Sequence, residues 1–97
     1  MGKLTIRREG AWEAFAVPML GEVDGETVCR LMNFGTYECE RGGAPTVMCH
    51  LAGRGGGESV RVDLDTFEHV AVTALQTPGR TQITVDPPEA ALPDKKT

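Results

Sequence analysis

The stretch from Val28 to Leu51, VCRLMNFGTYECERGGAPTVMCHL, spaces Cys29, Cys39 and Cys49 ten residues apart and places His50 directly after the last. Two readings compete for it. The sulfurs and the imidazole converge on a metal or a reactive thiol site, or each cysteine is a small apolar residue in a strand of its own. Alternation favours the strands. Cys39 shares parity with Tyr37, and Cys49 with Val47 and Leu51, and residues two apart in a strand face the same side. A free cysteine packs as a small hydrophobe. Structural zinc sites recruit close C-x₂₋₄-C pairs, whereas no two of these cysteines are that close, and His50 must face away from Cys49. Strands of about five or six residues joined by loops of about four give a period near ten. A zinc or redox-thiol protein stays as a competing reading.

Working outward, the same short alternating runs recur between glycine-rich turns. Residues 3–8 set Leu4 and Ile6 against Lys3, Thr5 and Arg7, and residues 16–23 carry Val17, Met19 and Val23 on one parity, interrupted by Gly21. Asp24-Gly25 is a hairpin signal, since a primed turn needs positive φ. A four-residue loop pairing Val23 with Val28 keeps both valines on the apolar face, and a bulge near Cys29-Arg30 then restores the register to Leu31. Further strands are expected over residues 36–40, 46–51, 59–64, 68–75 and 81–85, with a Pro78-Gly79 turn before the last. No segment offers a helical crossover, so the sheets are expected to be mainly antiparallel. The fold class is an all-β antiparallel sandwich of about seven or eight short strands, the alternative being a partly open barrel.

At 97 residues the chain is one domain by length. Residues 1–86 are read as that domain, and residues 87–97, with three prolines and little to bury, as a flexible tail. A net charge of −4 argues against nucleic acid, which needs a concentrated basic surface. The densest basic cluster is Lys3, Arg7 and Arg8, and Glu9 follows it at once. No run has the length of a membrane span and no apolar run follows the N-terminal charges. Three cysteines, an odd number, fit reduced thiols and a cytoplasmic setting.

Nothing in the sequence assembles a catalytic constellation, so the chain is read as non-enzymatic and without a cofactor. A cysteine nucleophile needs a base in reach, and both His50 and His69 read as solvated, outward-facing positions. Arg54-Gly55-Gly56-Gly57 lacks the G-K-[ST] ending of a phosphate loop and leads into a strand. Asp63 and Asp65 lack the glycine and distal glutamate of a calcium loop. Trp12 and Phe15, at i and i+3 in a short stretch with helical spacing, are the candidate partner-binding residues. The competing reading makes them a cap on an aromatic-poor core, and it is favoured by composition.

The order LTIRR (4–8), VPMLGEVDGETVCRLMNFGTYECE (17–40), a glycine loop, TVMCHL (46–51) and ESVRVDLD (58–65) resembles small bacterial β-sandwich proteins of unknown function with a PEGA-like pattern. The resemblance spans roughly residues 3–64 and rests on Asp24-Gly25, Val28, Leu31, Asn33, Gly35-Thr36 and the Val60, Val62, Leu64 strand. Phe34 interrupts the Asn-Gly turn of that pattern, and Ala44-Pro45 replaces its histidine-containing turn. It implies a sandwich with a binding or scaffolding role and supplies no catalytic residue.

The expected function is a protein-interaction module that uses a sheet edge or face. Residues 3–8 and 81–85 are the expected edges, and pairing of either between chains makes a homodimer. The alternative is a small phage or mobile-element inhibitor that binds a host enzyme.

Overall fold

The computed structural model describes residues 1–11, 15–53 and 57–93. Two open sheets face each other. One has the order β4 (Thr36–Arg41), β1 (Gly2–Arg8), β7 (His69–Thr77), β8 (Arg80–Asp86). The other runs β3 (Glu26–Leu31), β2 (Met19–Val23), β5 (Thr46–Leu51), β6 (Glu58–Val62), β9 (Ala91–Leu92). Neither closes on itself, so the fold is a sandwich and not a barrel. Strand β3 lies against β4 at one open side, and β6 against β8 at the other.

The two-residue period drives the packing. Leu4 and Ile6 of β1, Val47, Cys49 and Leu51 of β5, and Val70, Val72 and Ala74 of β7 are buried between the layers. Arg8 continues the parity of Leu4 and Ile6 and is buried with them, at 1% exposure.

Three expectations change. Residues 3–8 are not an edge: β1 is central, antiparallel to β4 and parallel to β7, with Leu4 opposite both Cys39 and Val70. The chain reaches a parallel partner without a helix because five strands intervene, β4 in the same sheet and β2, β3, β5 and β6 in the other. Every other pair among the described residues is antiparallel.

The hairpin is the second change. Asp24 and Gly25 both take positive φ, 52° and 86°, and Val23 pairs with Glu26 across a two-residue loop. Gly21 pairs with Cys29 and Glu22 with Thr27, so Val28 is the extra residue of a bulge. The primed turn fixes the start of the register, and the bulge carries the correction that a longer loop would have supplied.

The third concerns the expected tail. Residues 88–90 form a 3₁₀ turn, Ala90 is fully buried, and Ala91 and Leu92 pair with Val62 and Arg61. The segment crosses the open side of the sandwich from β8 to β6. Residues 94–97 lie outside the described residues.

Gly21 owes its place in β2 to a close approach. It stands between Cys29 on β3 and Cys49 on β5, and a Cβ there would sit 2.6 Å from the Cys29 sulfur and 3.4 Å from Ile6 Cδ1. Gly21→Ala is expected to destabilise the fold by about 1–3 kcal/mol through overpacking. Urea unfolding checks this, and adding Cys29→Ala, which clears the contact, should recover most of the loss.

Candidate functional site at the aromatic end of the sandwich

One end of the sandwich is built around a buried guanidinium. Arg8 Nη1 donates to the carbonyls of Val17 at 2.7 Å and Leu31 at 2.8 Å, which ties the connection after β1 to the end of β3. The backbone adds three bonds at the same place: Arg8 N–H to Gly35 O, Phe34 N–H to Arg8 O, and Gly35 N–H to Met32 O. Asn33 Nδ2 donates to Ala11 O at 3.0 Å. No donor among the described residues meets its buried Oδ1.

This scaffold presents apolar side chains to solvent. Phe34 is 81% exposed, Phe15 58% and Met32 48%. Phe34 also has φ +67°, a left-handed conformation that costs a non-glycine residue about 1–2 kcal/mol. Its ring lies over Gly10, where a side chain would collide with it. Gly10, Ala11, Phe15, Asn33 and Phe34 together line a depression of about 320 Å³. Phe15 therefore belongs to the surface, not to a cap on the core. Trp12 and the middle of the expected helical stretch, residues 12–14, lie outside the described residues. The sequence reading missed Phe34 and Met32. The signal was present in Asn33-Phe34-Gly35, where an aromatic occupies a turn position that ordinarily takes asparagine or glycine.

The cysteines divide as alternation implies. All three are free, with Cys49 buried and Cys29 and Cys39 half-buried on the inner side of the β3–β4 opening. Burial pushes the Cys49 thiol up to about 12, with a smaller push from Cys29. Burial likewise raises Cys29, against a hydrogen bond from the Gly21 backbone that lowers it. Neither is poised as a thiolate nucleophile. Among the described residues no group of three or more Cys, His, Asp or Glu is arranged to hold a metal ion.

The Cys49 shift has a sign that can be checked. The folded state holds this proton more tightly than the unfolded chain, so stability is fully present below the ordinary thiol range. It is lost as pH rises from about 9 toward 12. Cys49→Ala should flatten that decline, as read by denaturant midpoints across the alkaline range.

The remaining candidates serve the fold. His50 is largely covered rather than solvated, because Nε2 lies 2.8 Å from Glu22 Oε2 and Nδ1 3.2 Å from Leu51 O, strapping β5 to β2 on the outer face. His69 is exposed, as expected. Asp63 Oδ1 accepts the N–H groups of Asp65 and Thr66, both at 3.0 Å, and the Thr66 bonds hold its carboxyl below the usual range. Asp65 Oδ1 accepts from Gly43 N–H at 2.8 Å. These carboxylates cap turns. No described helix is long and apolar enough to cross a membrane.

No protein-family model, curated protein or solved structure matches the chain.

Proposed function

We propose that the chain is a non-enzymatic interaction module whose aromatic end docks a protein partner. The observation that carries this reading is Phe34, which is both left-handed and 81% exposed. A strained backbone persists where the surroundings over-determine it, and such outliers cluster at functional positions. An aromatic side chain left mostly in water at that position gains little for the isolated fold beyond its contact with Gly10. In a partner's pocket it becomes an anchor of the kind that dominates interface energies. Phe15 and Met32 widen the patch, and the 320 Å³ depression beside them suits one apolar side chain of the partner.

The resemblance to PEGA-like bacterial sandwiches supports a binding or scaffolding role, and three free thiols suit a reducing, cytoplasmic setting. The test is affinity capture from a lysate of the native host with the wild-type chain, Phe34→Gly and Phe15→Ser. A protein held by the wild type and lost from both variants, with thermal melts unchanged, is the expected result. An identical set of captured proteins from all three would remove the reading.

A further inference from the structure

The four sheet edges are not alike. Strand β4 exposes Glu38 and Glu40, and Lys3 pairs with Glu38 at 3.3 Å. Strand β3 exposes Glu26 and Arg30 and carries the bulge, and β9 is two residues long. Charges, bulges and shortness are the devices that keep an edge from pairing. Strand β8 has none of them in its interior: Thr81-Gln82-Ile83-Thr84-Val85 is uncharged and rich in β-branched residues. No strand among the described residues pairs with its outer edge.

The register shows which backbone groups that edge offers. Ala74 O accepts from Glu9 N–H at 2.9 Å on the β1 side, so Ala74 spends its backbone groups on β1. Ile83, which stands opposite Ala74, is then in a non-hydrogen-bonded pair with β7. Antiparallel pairs alternate, so the N–H and C=O groups of Thr81, Ile83 and Val85 point away from β7, along the open side that residues 88–92 cross to reach β6.

From this placement we propose that β8 pairs antiparallel with β8 of a second copy, about a twofold axis at Ile83. The proposal concerns a different surface from the aromatic end and does not rest on it. Centred there, Ile83 meets Ile83 of the partner subunit in a hydrogen-bonded pair, and Thr81 of each copy meets Val85 of the other. The outward backbone groups of both edges are satisfied, and the two four-stranded sheets become one.

The ends of the strand agree with this register and no shifted one. Arg80 falls opposite Asp86 of the other copy, twice by symmetry, with both side chains exposed. Within its own chain Arg80 reaches Glu58 only at 4.0 Å, in an exposed pair. On the inner side, half-buried Ile83 and Val85 line a cleft of about 420 Å³ with Val60 and Ala91. A second β8 stands at the mouth of that cleft and removes their remaining apolar surface from water.

The test is light scattering after size exclusion, over loading concentrations from about 1 µM to about 500 µM. The wild type should pass from monomer to dimer mass. Arg80→Asp alone and Asp86→Arg alone each place like charges opposite one another and should raise the dissociation constant roughly tenfold or more. Combining the two restores opposite charges and should return the constant to within about threefold of wild type. Arg80→Ser and Asp86→Ser give the same reading in smaller measure if a reversal disturbs folding. A monomer at every concentration overturns the proposal. So does a dimer indifferent to the single reversals, or a double variant no tighter than the singles, since either places the contact elsewhere or in another register.

Discussion

Replacing Arg8 by methionine is expected to lower the unfolding free energy by about 3–5 kcal/mol, measured by urea denaturation. The methionine chain fills much of the same volume, so the loss is not one of packing. What disappears is the pair of charged donors on Val17 O and Leu31 O, at 2.7 and 2.8 Å. A buried carbonyl left without a donor costs about 1–3 kcal/mol, and hydrogen bonds to charged groups are stronger than neutral ones. Two carbonyls are orphaned together. Arg8→Lys should fall between the two, because an ammonium carries the charge but not the planar fork that reaches two carbonyls. Burial lowers the Arg8 pKa, yet a guanidinium stays charged throughout the accessible range, so this clamp should show no pH dependence between about 5 and 9. A loss under about 1 kcal/mol for the methionine variant would mean that water, not the arginine, satisfies those carbonyls.

Arg8 also marks the limit of what alternation conveys. The period that sends Leu4 and Ile6 inward sends residue 8 inward too, so its position was legible. Its chemistry argued the other way, since arginine beside Arg7 and Lys3 reads as a basic surface cluster. The deciding partners, Val17 O and Leu31 O, are backbone groups 9 and 23 residues away, and backbone carbonyls leave no mark in a sequence. The same limit explains β1. A strand that pairs with its sequence neighbours announces itself through turns, as β2 with β3 or β7 with β8 do. The parallel partnership of β1 with β7 spans the five strands β2 to β6 and has no local signature. Val28 shows the reverse case. Hydrophobic parity demanded one extra residue somewhere between Val23 and Leu31; the sequence placed a bulge near Cys29-Arg30 after too long a loop, whereas the bulge lies at Val28 after a two-residue turn. At the candidate site, Phe15 was found by its side chain. Phe34 was passed over because a turn residue is ordinarily judged by its backbone.

Phe34→Gly is expected to weaken partner binding by roughly 30-fold or more while leaving the fold intact, and the combination is what makes the test decisive. Stability should change by less than about 1 kcal/mol, because glycine relieves the left-handed strain while adding freedom to the unfolded chain. The contact of the ring with Gly10 is lost, but a ring that is 81% exposed has little burial to forfeit. Truncating a central aromatic anchor in an interface costs about 2 kcal/mol or more, which is the 30-fold loss. Phe34→Leu separates the side chain from the backbone: it keeps the strain and part of the apolar surface, so it should bind with intermediate affinity at unchanged stability. A structural aromatic behaves in the opposite way, since removing a buried phenylalanine costs about 3–5 kcal/mol and any effect on binding would follow from unfolding. A drop of that size in Phe34→Gly, with affinity preserved in the folded fraction, would return Phe34 to the fold and leave the aromatic end without a role.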